Sequence, residues 1–392
     1  MNTEEILGQD QEEGDIHGRA AEPDRALLSR TSHARHDIGA NSPGRGNRMV
    51  VAEESPTGRP SASLTTQEVD AMTNRPDLSV IIPMHNASAT VTSVVESFLA
   101  IDAAAIDLVV VDDASTDDSV ERVAALDRPE VKVERFETNR GAGVARNHGF
   151  ARARGRYTLF FDADDEIHPE ALTSAIGALD DTGADVVMMP YRYRRGQFAQ
   201  SDAMNSYDVA TWGRYATSPR RVTRLGDVPR LLGFSNYPWN KLIRTDHYQH
   251  TGLQYGSTPV HNDILGHWLT LLDAHRILLL DQPLCTHIVN EGGRNLTNRE
   301  SRARLTLVDA LDETYSALEA RPEKRNRYSH HYWDFVLRVT GWATARLTPD
   351  ALDEFNLRLQ QHMLRMDLGD FTRMRLRRDP SLGTRLISKA LA

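Results

Sequence analysis

The chain has 392 residues, enough for roughly two to three domains with a sizeable buried core. Its formal net charge of −9 argues against a dedicated nucleic-acid binder, and its single cysteine, Cys285, excludes an intramolecular disulfide or a cysteine-cluster metal site. A reducing compartment is expected. No run approaches the ~18 apolar residues of a transmembrane helix, and the acidic start MNTEEILGQDQEEGD lacks the apolar stretch of a secretory signal.

Residues 1–76 contain no Phe, Trp or Tyr, although the whole chain carries 26 of them. Such a segment cannot bury enough apolar area to offset its ordering entropy. A disordered extension is expected over 1–76, with a short helix around Glu22–Ser29.

Order is expected to begin at Leu78. Leu78–Pro83 is a short apolar run rich in β-branched residues, the mark of a buried strand. Further strands are predicted over 107–112, 131–136, 157–162 and 184–189. Helices are predicted between them over 89–100, 117–126, 142–153 and 169–179, with Pro169 suited to a first helical turn. Strands alternating with helices imply an α/β fold around a mainly parallel sheet covered on both faces.

Ligands of such sheets bind at the carboxyl ends of the strands. The second predicted strand ends in Asp112-Asp113, and the fourth ends in Asp162-Ala163-Asp164-Asp165. Two acidic clusters on one edge repel each other unless a positive charge lies between them. Hard divalent cations take carboxylate oxygens and bridge them to phosphates. Asp164 or Asp165 would equally serve as a cap for the helix near Pro169, and Asp112-Asp113 as an Asx turn. Asn139-Arg140-Gly141-Ala142-Gly143 supplies the complementary charge, glycines that allow close backbone approach, and a helix N-terminus. Arg140 is a candidate ligand contact. Arg146, inside the helix, is either a contact or a structural ion-pair partner.

LSVIIPMHN, VVVDDASTDDS, NRGAGVARNHG and GRYTLFFDADDEIHPEAL, in this order and spacing, resemble the family 2 glycosyltransferases of the GT-A fold. The resemblance covers 78–189 well and extends more thinly to about 298. It implies a nucleotide-diphosphate sugar donor, commonly a uridine diphosphate sugar, and a divalent metal, Mn²⁺ or Mg²⁺. It places Pro83 and His85 beside the base, Asp113 on the uracil edge, Arg140 near the nucleotide, Asp162 in the donor-facing cluster and Asp164 on the metal. His85 stands where the family often carries an aromatic residue.

Inverting members need a carboxylate base in the second half of the domain, usually in an acidic pair opening a helix. The fitting segment is His261-Asn262-Asp263, with the pair changed to Asn-Asp and Asp263 retained as the base. Trp239-Asn240-Lys241-Leu242 resembles the element that precedes this base. The segment from His287 to Asn295 resembles a loop that closes over the donor, with Arg294 meeting the diphosphate. His287 is either a further metal ligand or a structural histidine.

Helical spacing dominates beyond 299, and the aromatic stretch from Tyr328 to Trp342 is expected to pack on the catalytic domain. The organisation expected is therefore an extension (1–76), a GT-A domain (77–298) with a nucleotide-sugar half (77–190) and an acceptor and base half (191–298), and a helical region (299–392). From Met363 to the end, seven basic residues stand against three aspartates. Such a tail would either lie on an anionic membrane surface or form a solvated helical face.

The reading is an inverting, metal-dependent glycosyltransferase of surface polysaccharide or glycolipid synthesis. It would be cytoplasmic, peripheral at the inner face of the membrane if the tail touches lipid, and would act on a saccharide or lipid-linked acceptor. The alternative is a non-catalytic nucleotide-sugar-binding protein that retains the fold, which Asn262 in place of an acidic residue suggests.

Overall fold

The computed structural model describes residues 75–195, 203–289 and 302–391. The extension expected over 1–76 lies almost wholly outside the described residues.

The apolar runs form β1 (Leu78–Met84), β2 (Ile106–Asp112), β3 (Val131–Arg135), β4 (Tyr157–Phe160) and β6 (Val186–Met188). Between them lie α1 (Val91–Leu99), α2 (Ser119–Ala124), α3 (Ala142–Phe150) and α4 (Pro169–Thr182), which starts on a proline as expected. The fourth strand stops two residues short of the expected end, so Asp162 lies in a turn. Burial of the pleated apolar faces drives these elements together: Val80, Ile82, Leu108, Val110 and Leu159 are fully buried.

The larger sheet has the order β3-β2-β1-β4-β9-β6-β10-β8. Pairing from β3 through β4 is parallel. The short strand β9 (Lys241–Arg244) runs antiparallel to both β4 and β6. β10 (Ile277–Leu280) is parallel to β6, and β8 (Arg220–Thr223) closes that edge antiparallel. The core is therefore the mainly parallel α/β sheet expected, with antiparallel strands in its second half. A smaller sheet joins β5 (Glu166–Ile167), β11 (Cys285–Val289) and β7 (Arg192–Arg195) in the order β5-β11-β7. Because β5 follows the Asp162–Asp165 turn directly, this small sheet is built against the acidic strand end.

In the second half lie α5 (Ser206–Tyr215), α6 (Thr245–Thr251) and α7 (Asp263–Leu272). The helical C-terminal part comprises α8 (Thr306–Glu319), α9 (Pro322–Thr344), α10 (Pro349–Met363), α11 (Leu368–Arg373) and α12 (Pro380–Leu391). Its aromatic stretch packs on the α/β part. Trp268 of α7 meets Tyr332 and Phe335 of α9 with ring centroids 5.3 and 5.9 Å apart. The basic tail spends part of its charge internally, since Arg365 pairs with Asp312 and Glu319, Arg373 with Asp370, and Arg385 with Asp334. No helix among the described residues is long and apolar enough to cross a membrane.

Candidate active site

The carboxyl ends of β1 and β2 and the start of α3 are tied together by hydrogen bonds. His85 follows β1, and its Nδ1 lies 2.8 Å from the carbonyl oxygen of Asp113, so this nitrogen donates. The Asp113 carboxylate accepts the backbone N–H groups of Arg140 and Gly141 at 2.6 and 2.8 Å. Asp112 accepts the Ser115 N–H, the turn expected of it, and pairs with Arg135 at 3.2 Å. Pro83 lies within β1, half-buried beside these groups, and the exposed Arg140 guanidinium sits 4.9 Å from the centroid of the Phe136 ring. The four candidate donor contacts thus gather around the carboxyl ends of β1 and β2.

Non-glycine residues with left-handed backbone surround this edge: Asn86 after β1, Ala114 after β2, and His261 just before Asn262-Asp263. Each such conformation costs about 1–2 kcal/mol, and strain of this kind persists where the surrounding structure holds it.

The second cluster follows β4. Burial pushes the Asp164 carboxyl up to about 7, with Asp165 and Asp162 adding to the rise. Asp165 is wholly buried, and its Oδ1 accepts the His287 Nδ1–H at 2.8 Å and the Ile288 N–H at 2.9 Å. His287 is therefore a partner of the acidic turn. Although burial works against its charged form, Asp165 holds its imidazole above the ordinary range. Behind it, the rings of Trp239 and Tyr237 stack in succession, with Trp239 5.5 Å from His287 and 4.3 Å from Tyr237. The caps considered for Asp164 and Asp165 are not made, since α4 starts at Pro169 after His168 with no side-chain cap bond.

These carboxylates suit a divalent cation. Three carboxylates crowd one turn, Asp164 is held near neutrality, and the buried Oδ2 of Asp165 has no hydrogen-bond partner. All are hard oxygen donors of the kind Mg²⁺ and Mn²⁺ take.

Asp263 begins α7 as expected, and the helix runs to Leu272. Burial pushes its carboxyl up to about 6, while Arg146 and Lys241 pull in the opposite direction. Lys241 is itself drawn down to about 7 by burial, against the pull of Asp263. Its ammonium donates to the Asn240 side chain at 2.6 Å and to the Tyr237 carbonyl.

Arg146 joins the two clusters. One guanidinium nitrogen donates to Asp162 Oδ1 at 2.6 Å and another to Asn262 Oδ1 at 2.8 Å. Arg146 is buried, and its guanidinium lies 5.4 Å from the centroid of the Tyr255 ring. Asn262, the residue that departs from the acidic pair, is thus the neutral acceptor that leaves the arginine charge to Asp162. Close packing at α3 permits the bridge: a Cβ on Gly143 would fall 2.0 Å from the Gly256 carbonyl oxygen and 2.8 Å from the Asn262 Cβ. Of the two readings offered for Arg146, the structure bears out the ion pair, with Asp162; its second bond to Asn262, the unpartnered Oδ2 of Asp165 and the burial of Lys241 were not anticipated from sequence. The signals present were an arginine on the glycine-rich helix and a run of three acids within four residues. Arg294 lies outside the described residues.

Residues 79–249 match the profile of the family described as Glycosyl transferase family 2. They form a family 2 glycosyltransferase domain. This glycosyltransferase domain is similar to the succinoglycan biosynthesis protein ExoO of Rhizobium meliloti, 36% identical over 113 residues, 29% of this chain and 32% of that protein. The chain is also similar to the uncharacterized glycosyltransferase YibD of Escherichia coli, 28% identical over 262 residues, 61% of this chain and 72% of that protein. The matched stretch thus spans about a third of ExoO but most of YibD. Among solved structures, Staphylococcus aureus TarS in complex with UDP-GlcNAc superposes with a TM-score of 0.64 at 20% identity, over 80% of this chain and 88% of that one. The glycosyltransferase domain and the helices after it therefore share the fold of that GT-A protein.

Proposed function

We propose that this chain is an inverting glycosyltransferase that moves a sugar from a nucleotide-diphosphate donor, a UDP-sugar first, to a hydroxyl of a saccharide or lipid-linked acceptor in surface polysaccharide or glycolipid assembly. The observation that carries this reading is Asp263, a half-buried carboxylate at the head of α7, coupled through Arg146 and Asn262 to the acidic turn after β4. The names of ExoO and TarS, the latter a poly(ribitol-phosphate) β-N-acetylglucosaminyltransferase solved with UDP-GlcNAc, support the polymer and the donor class.

His85, Pro83, Asp113 and Arg140 would receive the nucleoside, and Arg294 would meet the diphosphate. A divalent cation, Mn²⁺ or Mg²⁺, held by Asp164 with Asp162 and Asp165 alongside, would neutralise charge on the leaving diphosphate. Asp263 would accept the acceptor hydroxyl proton as that oxygen bonds to the anomeric carbon. The bond to the diphosphate breaks with its electron pair leaving on the nucleotide. A carboxyl near 6 is ionised at neutral pH yet basic enough for this task. Arg146 keeps Asp263 anionic and fixes Asp162. A single displacement of this kind inverts the anomeric centre.

The tail exposes Leu364, Leu368, Leu376 and Leu391 among its arginines, which would suit contact with an anionic membrane carrying a lipid-linked acceptor. The test is nucleotide release from a panel of UDP-, GDP- and TDP-sugars with and without Mn²⁺, in wild type, Asp164→Ala and Asp263→Asn. Metal- and Asp164-dependent release from one donor is the expected result. No binding of any donor would overturn the reading.

A further inference from the structure

Asp185, His247 and His275 meet at the other end of the sheet. Asp185 immediately precedes β6, and His275 stands two residues before β10, which runs parallel to β6. His247 follows β9, whose last residue, Arg244, pairs with Tyr157 at the start of β4. The acidic turn lies beyond the opposite end of β4. The three residues therefore lie at the edge remote from the candidate donor site.

Their side chains bring one carboxylate oxygen and two ring nitrogens close to one another. Asp185 Oδ2 accepts the backbone N–H groups of His275 and Arg276 at 2.8 and 2.9 Å, which fixes the carboxylate. His247 Nε2 lies 2.9 Å from the Asp273 carbonyl oxygen. A carbonyl only accepts, so Nε2 carries a proton, and Nδ1 is the ring nitrogen on the side of Asp185. That nitrogen stands 3.9 Å from Asp185 Oδ1, beyond hydrogen-bond reach. His275 Nδ1 stands 3.7 Å from Asp185 Oδ2, and the two imidazoles are 5.2 Å apart. One ligand atom from each residue lies within 4.8 Å of the others.

A histidine donating its second ring nitrogen to a backbone carbonyl is the usual support of a metal-bound imidazole. Two nitrogens and one carboxylate oxygen suit Zn²⁺ and its neighbours better than Mg²⁺. Metal bonds of about 2.0–2.1 Å in a tetrahedron put ligand atoms roughly 3.4 Å apart. The gaps to Asp185 are 3.7 and 3.9 Å and no gap exceeds 4.8 Å, so closing on a metal takes a contraction of up to about 1.4 Å, which the His275 side chain, 82% exposed, is free to make. The Asp273 carboxylate is taken by Arg321 at 3.0 Å, so water would complete the shell.

We propose that Asp185, His247 and His275 form a structural site for a zinc-class divalent ion, clamping α6 to the edges of β6 and β10 away from the donor site.

The test is titration of the full chain with Co²⁺ and Zn²⁺ in excess Mg²⁺, followed by visible absorption and calorimetry. Wild type, Asp164→Asn, His247→Ala and His275→Ala are compared. The expected result is one equivalent that binds wild type and Asp164→Asn alike and weakens at least about 10-fold in each histidine variant. Zn²⁺ should raise the Tm of wild type and not that of His275→Ala, whose metal-free Tm should match wild type because the side chain is exposed. The chain carries 15 histidines, so loss on substitution decides and stoichiometry alone does not. No binding to wild type, or an equivalent that survives His275→Ala or His247→Ala unchanged, would overturn the proposal.

Discussion

Arg146 and Asp162 form a short ion pair, 2.6 Å between nitrogen and oxygen, and the same guanidinium holds Asn262 beside Asp263. The acidic turn after β4 and the head of α7 are thereby one electrostatic unit. Removing one partner of a buried pair strands the other. Arg146→Ala is expected to cost about 3–5 kcal/mol of stability, measured by urea denaturation. Arg146→Lys keeps the charge but not the fork, and should lie between. Because the Arg146 charge is the foremost influence lowering the Asp263 carboxyl, Arg146→Ala should move the acid limb of the rate profile to higher pH, whereas Arg146→Lys, which keeps the charge, should leave it nearer to wild type.

Asp263 works as a base only when ionised. Transfer should rise with pH through about 6 and then level off. Asp263→Asn should lose about 100-fold or more in transfer, while donor affinity, read by calorimetry, stays close to wild type. A variant that keeps wild-type turnover would remove Asp263 from the base role.

Protons and cations compete for Asp164. Mn²⁺ affinity should increase as pH rises through about 7 and be lost in Asp164→Asn. The stability consequence has the opposite sense. With a folded value near 7 against an ordinary 3.8, this carboxyl contributes stability below about pH 4 that disappears as pH rises through 7. Metal-free Asp164→Asn should therefore melt above wild type at about pH 8, and the gap should close toward about pH 4. Adding Mn²⁺ should raise the wild-type Tm alone.

Gly143 tests the close approach that brings α3 to the Asn262 loop. A methyl group there meets the Gly256 carbonyl at 2.0 Å, and that backbone must shift. Gly143→Ala is expected to destabilise by about 1–3 kcal/mol and to reduce transfer. A methyl group on Gly177, inside α4, would meet nothing within 4 Å, so Gly177→Ala should stabilise by up to about 1 kcal/mol. Thermal melts of the pair would check both signs.

Sequence alone determined the features written in short, contiguous stretches. Buried strands show as apolar runs such as Ile106–Asp112, and their alternation with helices set the α/β class. The acidic strand ends, the glycine-rich start of α3 and the helix opening at Asp263 were legible because strand, turn and helix chemistry is local. β9 was missed as a strand because Lys241–Arg244 is too short to show a period and draws its pairing from β4 and β6. The parts decided by tertiary structure depend on contacts between distant positions. Arg146 and Asn262 are 116 positions apart, and His287 and Asp165 are 122 apart. Whether an arginine on a helix meets a ligand or a carboxylate depends on which side chain the fold sets opposite it, and residue type does not specify that. The same holds for Asp185, His247 and His275, which strand register alone brings to one corner. Burial likewise decided the ionisation of Asp164, Asp263 and Lys241, since the loss of water around a charge is a property of the packed surroundings and not of the residue.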